Sequence, residues 1–155
     1  MVLAASLLFA QKIETAPTLP MQAARPHNAP RAGQEHGRGC SGSTTAEIDN
    51  CLVRLATQSD ANLQRYLDAA RRRVSNQTHG TLPLRIENSE KSFEAYREAE
   101  CSAVFSFWKS GTIRTSKELE CRIRLTDART HSLWKNWLTY PDSTPPILPE
   151  PAPTR

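Results

Sequence analysis

Apolar residues recur at steps of three and four along three stretches of the chain, the spacing of one face of an α-helix. In the first stretch the sequence TTAE at 44–47 fits a capping box, with Thr44 as the N-cap and Glu47 three residues later. The helix runs from there to Asn76, or it restarts at Asp60, which could cap a second segment. Its predicted buried face consists of Ile48, Leu52, Leu55, Leu63, Tyr66, Ala70 and Val74.

Two further helices follow. The second begins with TLP at 81–83, where Pro83 in the first turn loses no intrahelical hydrogen bond, and it ends near Trp108. Its predicted buried face consists of Leu82, Ile86, Phe93, Tyr96, Ala103, Val104 and Phe107. The third begins at a second capping box, TSKE at 115–118, and stops before Pro141. Its predicted buried face consists of Leu119, Ile123, Thr126, Thr130, Leu133 and Trp137.

The pattern indicates an all-α fold. No part of the helical region shows sustained two-residue alternation, so strands are not expected. Short connections make neighbouring helices antiparallel. We predict a small, disulfide-stapled antiparallel helical hairpin array or bundle of three to four helices, with disordered Pro-rich tails.

Proline marks the boundaries of this bundle. Of 11 prolines, only Pro83 lies between Cys40 and Tyr140. The others lie within 17–30 and 141–153, where few apolar residues accompany them and the backbone lacks donors. We therefore expect a disordered lead at 11–39, a helical domain at 40–138 and a disordered tail at 139–155.

The first residues, MVLAASLLFA, form an apolar run that is too short to span a bilayer. The run is typical of the central part of a secretory signal, although the usual positive charges before it are missing. We interpret residues 1–10 as a truncated signal peptide and expect a periplasmic or secreted protein. No other segment is expected to cross a membrane.

Four cysteines, Cys40, Cys51, Cys101 and Cys121, lie in the predicted domain. An even number in a small exported domain predicts two disulfides. Zinc sites use closely spaced cysteine and histidine pairs, whereas these cysteines are 11, 50 and 20 residues apart. We therefore expect no metal site, and no motif indicates a cofactor.

Helix geometry favours one of the three possible disulfide connectivities. Cys101 lies about seven residues before the end of the second helix and Cys121 about six residues into the third, so both lie ~10 Å from the turn. A bridge between these two cysteines is therefore natural, and it leaves Cys40 to pair with Cys51. Each closed loop is short, and each bridge contributes roughly 2–4 kcal/mol.

The net charge of +4 is spread along the chain. The densest basic run, Arg71 to Arg73, is interpreted as the solvated face near the C-terminal end of a helix, where the dipole favours cations, rather than as an anion-binding patch. Because the charges are mixed and the aromatic residues lie on the predicted buried faces, nucleic-acid binding is not expected.

Five segments of the chain together resemble the bacterial lysozyme-inhibitor-like family (the LprI-like N-terminal domain), over about 40–133. In order they are TTAEIDNC, SDANLQRYL, FEAYREAEC, SGTI and CRIRLTDARTHSL. The chain departs from the family pattern at Gln64, Phe93, Glu98 and Ser110, where asparagine, tryptophan, aspartate and glycine are usual. The resemblance implies a periplasmic or surface-associated helical domain, with lysozyme inhibition attached to part of the family.

Arg97 lies one step off the apolar face of the second helix, where its stem can cover apolar surface and its guanidinium can reach a carboxylate. Asp60 is the expected partner, with Glu94 and Asp127 as alternatives. With other positions of the family pattern it forms a predicted structural clamp of Asp60, Tyr66, Tyr96, Arg97, Thr126 and Arg129.

The loop at 108–114 is the candidate partner-binding site, because the predicted disulfide would hold its base. Trp108 could serve as an apolar anchor, and Lys109 or Arg114 could approach the acidic catalytic pair of a lysozyme-type muramidase. Ser110 and Gly111 complete the turn. The alternative is an ordinary interhelical turn in an envelope interaction module without inhibitory activity.

Catalysis is not expected. No H-E-x-x-H, P-loop or G-x-S-x-G motif is present, and no histidine has a recognisable catalytic neighbour. Glu94, Glu98 and Glu100 lie on one helix, where they face solvent or Arg97. We therefore predict a non-catalytic protein with a protein partner.

Overall fold

The computed structural model describes residues 39–77 and 80–155. The predicted signal segment at 1–10 and the lead through residue 38 lie outside the described residues. The described part contains three α-helices and no strand, which confirms the all-α prediction.

The first helix, α1, is continuous from Thr45–Gln77. Its capping box forms as predicted: the backbone N–H of Glu47 donates to Thr44 Oγ1, and the N–H of Thr44 donates to Glu47 Oε2. The helix does not restart at Asp60, because the apolar face continues past it through Leu63 and Tyr66 into the largest core cluster.

The second and third helices are α2, Leu82–Phe107, and α3, Arg114–Leu133. The predicted capping box at 115–118 is wrong: Ile113 is the N-cap, with no side-chain hydrogen bond, and Thr115 already lies in the helix. The Glu118 carboxylate instead accepts a hydrogen bond from Arg122 one turn later. A π-helical turn, Trp134–Leu138, continues α3, and the backbone becomes extended at Thr139.

Residue pairs between the helices define their directions. Asp60 and Arg71 of α1 pair with Arg97 and Glu87 of α2, so that these two helices are antiparallel. Cys101 of α2 is bonded to Cys121 of α3, and the ion pairs between these helices join earlier residues of α2 to later residues of α3. These two helices are therefore also antiparallel. As a result α1 and α3 are parallel, and α3 packs against both other helices.

Both disulfides join the cysteines that helix geometry favoured. Cys40 is bonded to Cys51, which ties the segment before α1 onto that helix, and Cys101 is bonded to Cys121 between α2 and α3. Three of the four cysteines, Cys40, Cys101 and Cys121, are buried.

The buried face of α2 differs from the predicted one. Tyr96 is 54% exposed, and Ala103 and Phe107 are also exposed. The side of α2 that faces α3 instead contains Glu90 and Cys101, and both of these residues are buried. The prediction from apolar residues alone was therefore partly wrong, because a disulfide and a buried ion pair define which side of α2 packs against α3.

The structure corrects the expectation of a disordered tail at 139–155. This C-terminal segment has no helix or strand, yet it lies against α1 and α3. Arg73 Nη1 donates to the carbonyls of Trp137 and Thr139, and its guanidinium lies 4.3 Å from the ring centre of Tyr140. Composition suggested disorder because the segment has few apolar residues, but side chains of the helices bind its backbone.

Candidate partner-binding surface

The connection between α2 and α3 is a tight, internally hydrogen-bonded turn. The N–H of Trp108 donates to the carbonyl of Val104, and the N–H of Lys109 to that of Ser106. The N–H of Gly111 then donates to the carbonyl of Trp108 at 2.8 Å. Together with the Cys101–Cys121 bridge about two turns below, these bonds give the turn little freedom to move.

Exposed apolar side chains crowd this end of the hairpin. Phe107 is 80% exposed, Trp108 39% and Ile113 38%. The rings of Phe107 and Trp108 pack edge to face, with their centroids 5.5 Å apart. We call Phe107, Trp108, Lys109 and Ile113 the hairpin tip.

The two cations of the loop differ in their surroundings. Arg114 Nη1 donates to the carbonyl of Lys109 at 3.3 Å, and the Arg114 guanidinium lies 5.2 Å from the ring centre of Phe105. The Arg114 guanidinium therefore contacts the hairpin itself, although the residue is exposed. Lys109 is exposed, and no ion pair to it is found among residues 39–77 and 80–155. Ser110 is exposed beside it, and Gly111 is half-buried.

Sequence reasoning missed Phe107 and Ile113 as surface residues. Phe107 continued the helical spacing of α2 and so was assigned to the buried face. The signal that could have revealed it is its position nearly two turns beyond Cys101, near the hairpin end, where α3 has only begun.

The structure brings several members of the predicted clamp together. Arg97 Nη1 donates to Asp60 Oδ1 at 2.7 Å and to Thr126 Oγ1 at 2.6 Å, and so links all three helices. Arg129 Nε donates to Glu90 Oε2 at 3.0 Å, which joins α3 to α2.

The two tyrosines of the predicted clamp lie elsewhere. Tyr66 is buried, but it contacts the C-terminal segment, since its hydroxyl donates to the carbonyl of Pro149. Tyr96 does not belong to the clamp, because it is exposed to solvent.

Glu94, Glu98 and Glu100 of α2 differ in their surroundings. The Arg122 guanidinium, hydrogen-bonded to Glu98 at 2.6 Å, holds the pKa of that carboxyl below its usual range. A general acid needs the opposite shift. Glu94 and Glu100 are exposed on the same helix.

Two further properties concern the described residues only. No group of three or more His, Cys, Asp or Glu side chains in 39–77 and 80–155 is placed to hold a metal ion. None of the helices in these ranges is both long enough and apolar enough to cross a bilayer.

Fold and surface together define a small, disulfide-stapled three-helix protein with an aromatic and basic tip at one end of a rigid hairpin. The model of the family LprI, described as Lysozyme inhibitor LprI, matches residues 39–133. The match takes in all four cysteines and more than half of the chain, so the protein belongs to the LprI lysozyme inhibitor family. No curated protein and no solved structure matches the chain.

Proposed function

We propose that this protein is an exported, non-catalytic inhibitor that binds a lysozyme-type muramidase through the hairpin tip. One observation carries the proposal: Phe107, Trp108 and Ile113 are exposed beside Lys109 on a turn held by its own hydrogen bonds and by a disulfide. Exposed aromatic residues on a rigid support are the usual energetic centre of a protein interface, because little ordering entropy is lost when they are buried.

The tip also suits the chemistry of a muramidase cleft. Such a cleft carries a pair of carboxyl groups that flank the scissile glycosidic bond. In this proposal Phe107 and Trp108 fill apolar sugar-binding surface, and the Lys109 ammonium approaches the carboxylates. Arg114 supports the turn from behind through its bond to the Lys109 carbonyl.

Electrostatics narrows the choice of target. The chain carries a formal net charge of +4, and like charges slow the encounter of two proteins. We therefore expect weak or no inhibition of strongly basic lysozymes and stronger inhibition of neutral or acidic muramidases.

Export is part of the proposal. Two disulfides are typical of compartments outside the cytoplasm, and family membership points the same way. Mass spectrometry of the protein from its native host would report the mature N-terminus and both disulfides. An unprocessed, fully reduced protein would overturn the export proposal.

The test of inhibition uses the full chain and a panel of purified muramidases of different net charge, with peptidoglycan turnover as the readout. We expect Phe107→Ala/Trp108→Ala to weaken inhibition by at least about 30-fold, the equivalent of about 2 kcal/mol. Leu84→Ala is the matched control, because Leu84 is also apolar and is 60% exposed but lies at the opposite end of α2.

Either of two results would count against the proposal. Failure of the parent chain to inhibit any muramidase removes the inhibitor function. Inhibition that survives the tip substitutions unchanged removes the hairpin tip as the binding surface.

The alternative is an envelope interaction module without inhibitory activity. The contacts of Arg114 within the hairpin favour it, since they leave Arg114 less available than Lys109 to approach an acidic cleft. A pull-down from an envelope extract with the parent chain and the tip variant separates the two: a tip-dependent partner that is not a muramidase supports the alternative.

A further inference from the structure

Residues 147–154, the docked segment, lie across α1 and α3 and are bound by side chains of both helices and of the turn that continues α3. The Tyr66 hydroxyl donates to the carbonyl of Pro149 at 2.7 Å, and Trp134 Nε1 donates to the carbonyl of Leu148 at 3.0 Å. Further along, His131 Nε2 lies 3.0 Å from Glu150 Oε1. The docked segment therefore runs antiparallel to α3.

Asp127 of α3 binds the far end of the docked segment. Its Oδ2 accepts the backbone N–H of Thr154 at 3.0 Å, and its Oδ1 accepts the Thr154 hydroxyl at 2.8 Å. Ser59 of α1 donates to the same Oδ1 at 2.9 Å, which orients the carboxylate. Thr154 is only 5% exposed, although it is the penultimate residue of the chain. These contacts recognise a hydroxyl side chain and a backbone donor together.

The sequence of the docked segment suits this mode of binding. In LPEPAP at 148–153 every residue is a proline or precedes one. Proline fixes its own φ, and it restricts the residue before it to extended or polyproline conformations. The segment therefore loses little backbone freedom when it binds. Its prolines have no N–H, so the carbonyls are the groups that need partners, and Tyr66 and Trp134 supply them.

Aromatic side chains that line a groove and bind a proline-rich chain are the usual means of recognising such peptides. The contacts here have the same character: two aromatic donors, a carboxylate for the threonine, and apolar cover. Leu148 packs against the core cluster that contains Tyr66, Leu133 and Leu138. Clefts of about 590 Å³ and 330 Å³ remain beside residues 150–153, so the segment does not fill the groove.

We propose that the groove formed by Tyr66, Asp127, His131 and Trp134 is a recognition site for proline-rich peptides, and that the chain's own residues 147–154 occupy it. The ligand chemistry is an apolar residue followed by Pro-acidic-Pro-small-Pro-Thr. The family match ends at residue 133, so the docked segment lies outside the matched region while Tyr66, Asp127 and His131 lie inside it. This inference is independent of muramidase inhibition.

Tethering explains how the groove stays occupied. A segment joined to its site through a few residues has an effective concentration in the millimolar range. A peptide of the same sequence added to the intact chain must compete against that concentration. Release of the tether should therefore raise the apparent affinity for an added peptide about 100-fold or more.

The experiment uses the full chain with a protease recognition sequence in place of the exposed residues 142–144. After cleavage, a fluorescently labelled peptide PPILPEPAPTR is titrated and its anisotropy is measured, with the uncleaved chain as the control. We expect saturable binding to the cleaved chain and binding at least about 100-fold weaker to the uncleaved chain.

Specificity is tested with two matched changes. A peptide with Thr154→Val should bind about tenfold more weakly, because it loses the hydroxyl bond to the Asp127 carboxylate. Asp127→Asn in the chain should weaken binding of the parent peptide, and it should reduce the difference in affinity between the two peptides. Equal binding of both peptides to the parent chain would show non-specific attraction to prolines and would overturn the proposal.

Two further outcomes test the proposal when the cleaved C-terminal fragment dissociates from the rest of the chain. If the cleaved chain keeps its helical circular dichroism without the fragment and does not bind the labelled peptide, the proposal is wrong. If the cleaved chain loses helix on release, added peptide should restore it. Absence of restoration would mean that residues 147–154 are only a structural part of the fold.

Discussion

A buried carboxylate depends on a single guanidinium in the interface between α2 and α3. Glu90 is 4% exposed, and its Oε2 accepts a hydrogen bond from Arg129 Nε. Its Oε1 is buried and has no hydrogen-bond partner among the described residues. Arg129 is further positioned by Ser89 and by the ring of Phe93, 5.7 Å from the guanidinium. Removal of either charge therefore leaves the other without compensation.

Arg129→Ala should destabilise the protein by about 3 kcal/mol or more, because it leaves a buried carboxylate unpaired. The double variant Glu90→Leu/Arg129→Met should recover most of this loss, since apolar side chains of similar volume remove both charges. Urea denaturation of the parent and the two variants measures the differences. A double variant as unstable as the single one would contradict the argument.

Arg97 links the three helices through Asp60 and Thr126, and Thr126 is almost completely buried. Arg97→Ala should cost about 1–3 kcal/mol, mainly because the buried hydroxyl of Thr126 loses a charged partner. The ion pair itself contributes less, since Asp60 is exposed. Thermal unfolding measures the effect, with exposed Arg124→Ala on α3 as the control. Unchanged melting with altered target binding would show that Arg97 is a binding residue.

At the scale of elements, α2 is the helix most dependent on specific links. Its buried apolar residues are few, and it packs mainly against α3. The Cys101–Cys121 disulfide and the ion pairs of Glu87, Glu90, Arg97 and Glu98 with charged residues of the other helices supply further connections. Loss of one such link should therefore affect α2 more than its neighbours.

Replacing both Cys101 and Cys121 by alanine should destabilise the protein by about 3 kcal/mol, the value expected for a loop of this length. The loss of stability should be largest in α2, because that helix has the least apolar contact. Hydrogen exchange followed by mass spectrometry should show weaker protection over 82–107, with α1 and α3 changed less. Cys40→Ala/Cys51→Ala is the matched control and should affect mainly the residues before α1. Uniform loss of protection in both variants would contradict this prediction.

The contact between Arg71 of α1 and Glu87 of α2 should make stability depend on pH. The Arg71 guanidinium, bonded to both carboxylate oxygens at 2.7 Å, lowers the pKa of Glu87. A carboxyl group whose pKa is lower in the folded state stabilises the protein above its unfolded pKa of about 4.3. That contribution is lost as the pH falls through the folded pKa.

Glu87→Gln should therefore be less stable than the parent at pH 7, and the difference should shrink below about pH 4.3 and disappear at lower pH. Urea denaturation at several pH values gives the difference directly. Glu94→Gln, an exposed change on the same helix, should show a smaller difference at pH 7. A Glu87→Gln difference that stays constant from neutral pH to acid pH would rule out the linkage.

At the scale of the whole molecule, the hairpin tip and the docked segment contribute differently to stability. Tip residues are exposed, whereas Leu148 is half-buried against the core cluster of α1 and α3. Substitutions in the two places should therefore separate binding from folding.

Phe107→Ala/Trp108→Ala should change the free energy of unfolding by no more than about 0.5 kcal/mol, as is usual for surface positions. Leu148→Ala should cost about 1–2 kcal/mol, because it removes apolar contact from the core cluster. Thermal and urea unfolding measure both. If the tip variant were the less stable of the two, the tip would be part of the core rather than a binding surface.

Much of the fold could be predicted from the sequence because the relevant signals are local. Helical spacing located α1, α2 and α3, and the rise per residue placed Cys101 level with Cys121. The capping box at Thr44 formed because its two residues need only each other. The box predicted at Thr115 did not form, because α3 begins two residues earlier, with Ile113 as its N-cap.

The candidate surface could be predicted only in part. The position of the loop follows from the ends of two helices, but the exposure of Phe107 depends on where α3 stops covering α2. The exposure of Tyr96 depends on Glu90 and Cys101, which turn another side of α2 toward α3. Neither can be calculated from the spacing of apolar residues within one helix.

The sequence by itself determined the three helices, the disulfide pairing and the family, because periodicity, helix rise and motif order are properties of the chain. Only the tertiary structure decided which face of α2 is buried and where residues 139–155 lie. These depend on contacts between residues far apart in sequence, such as Glu90 with Arg129 and Asp127 with Thr154. A segment without apolar periodicity can still be ordered when distant side chains bind its backbone.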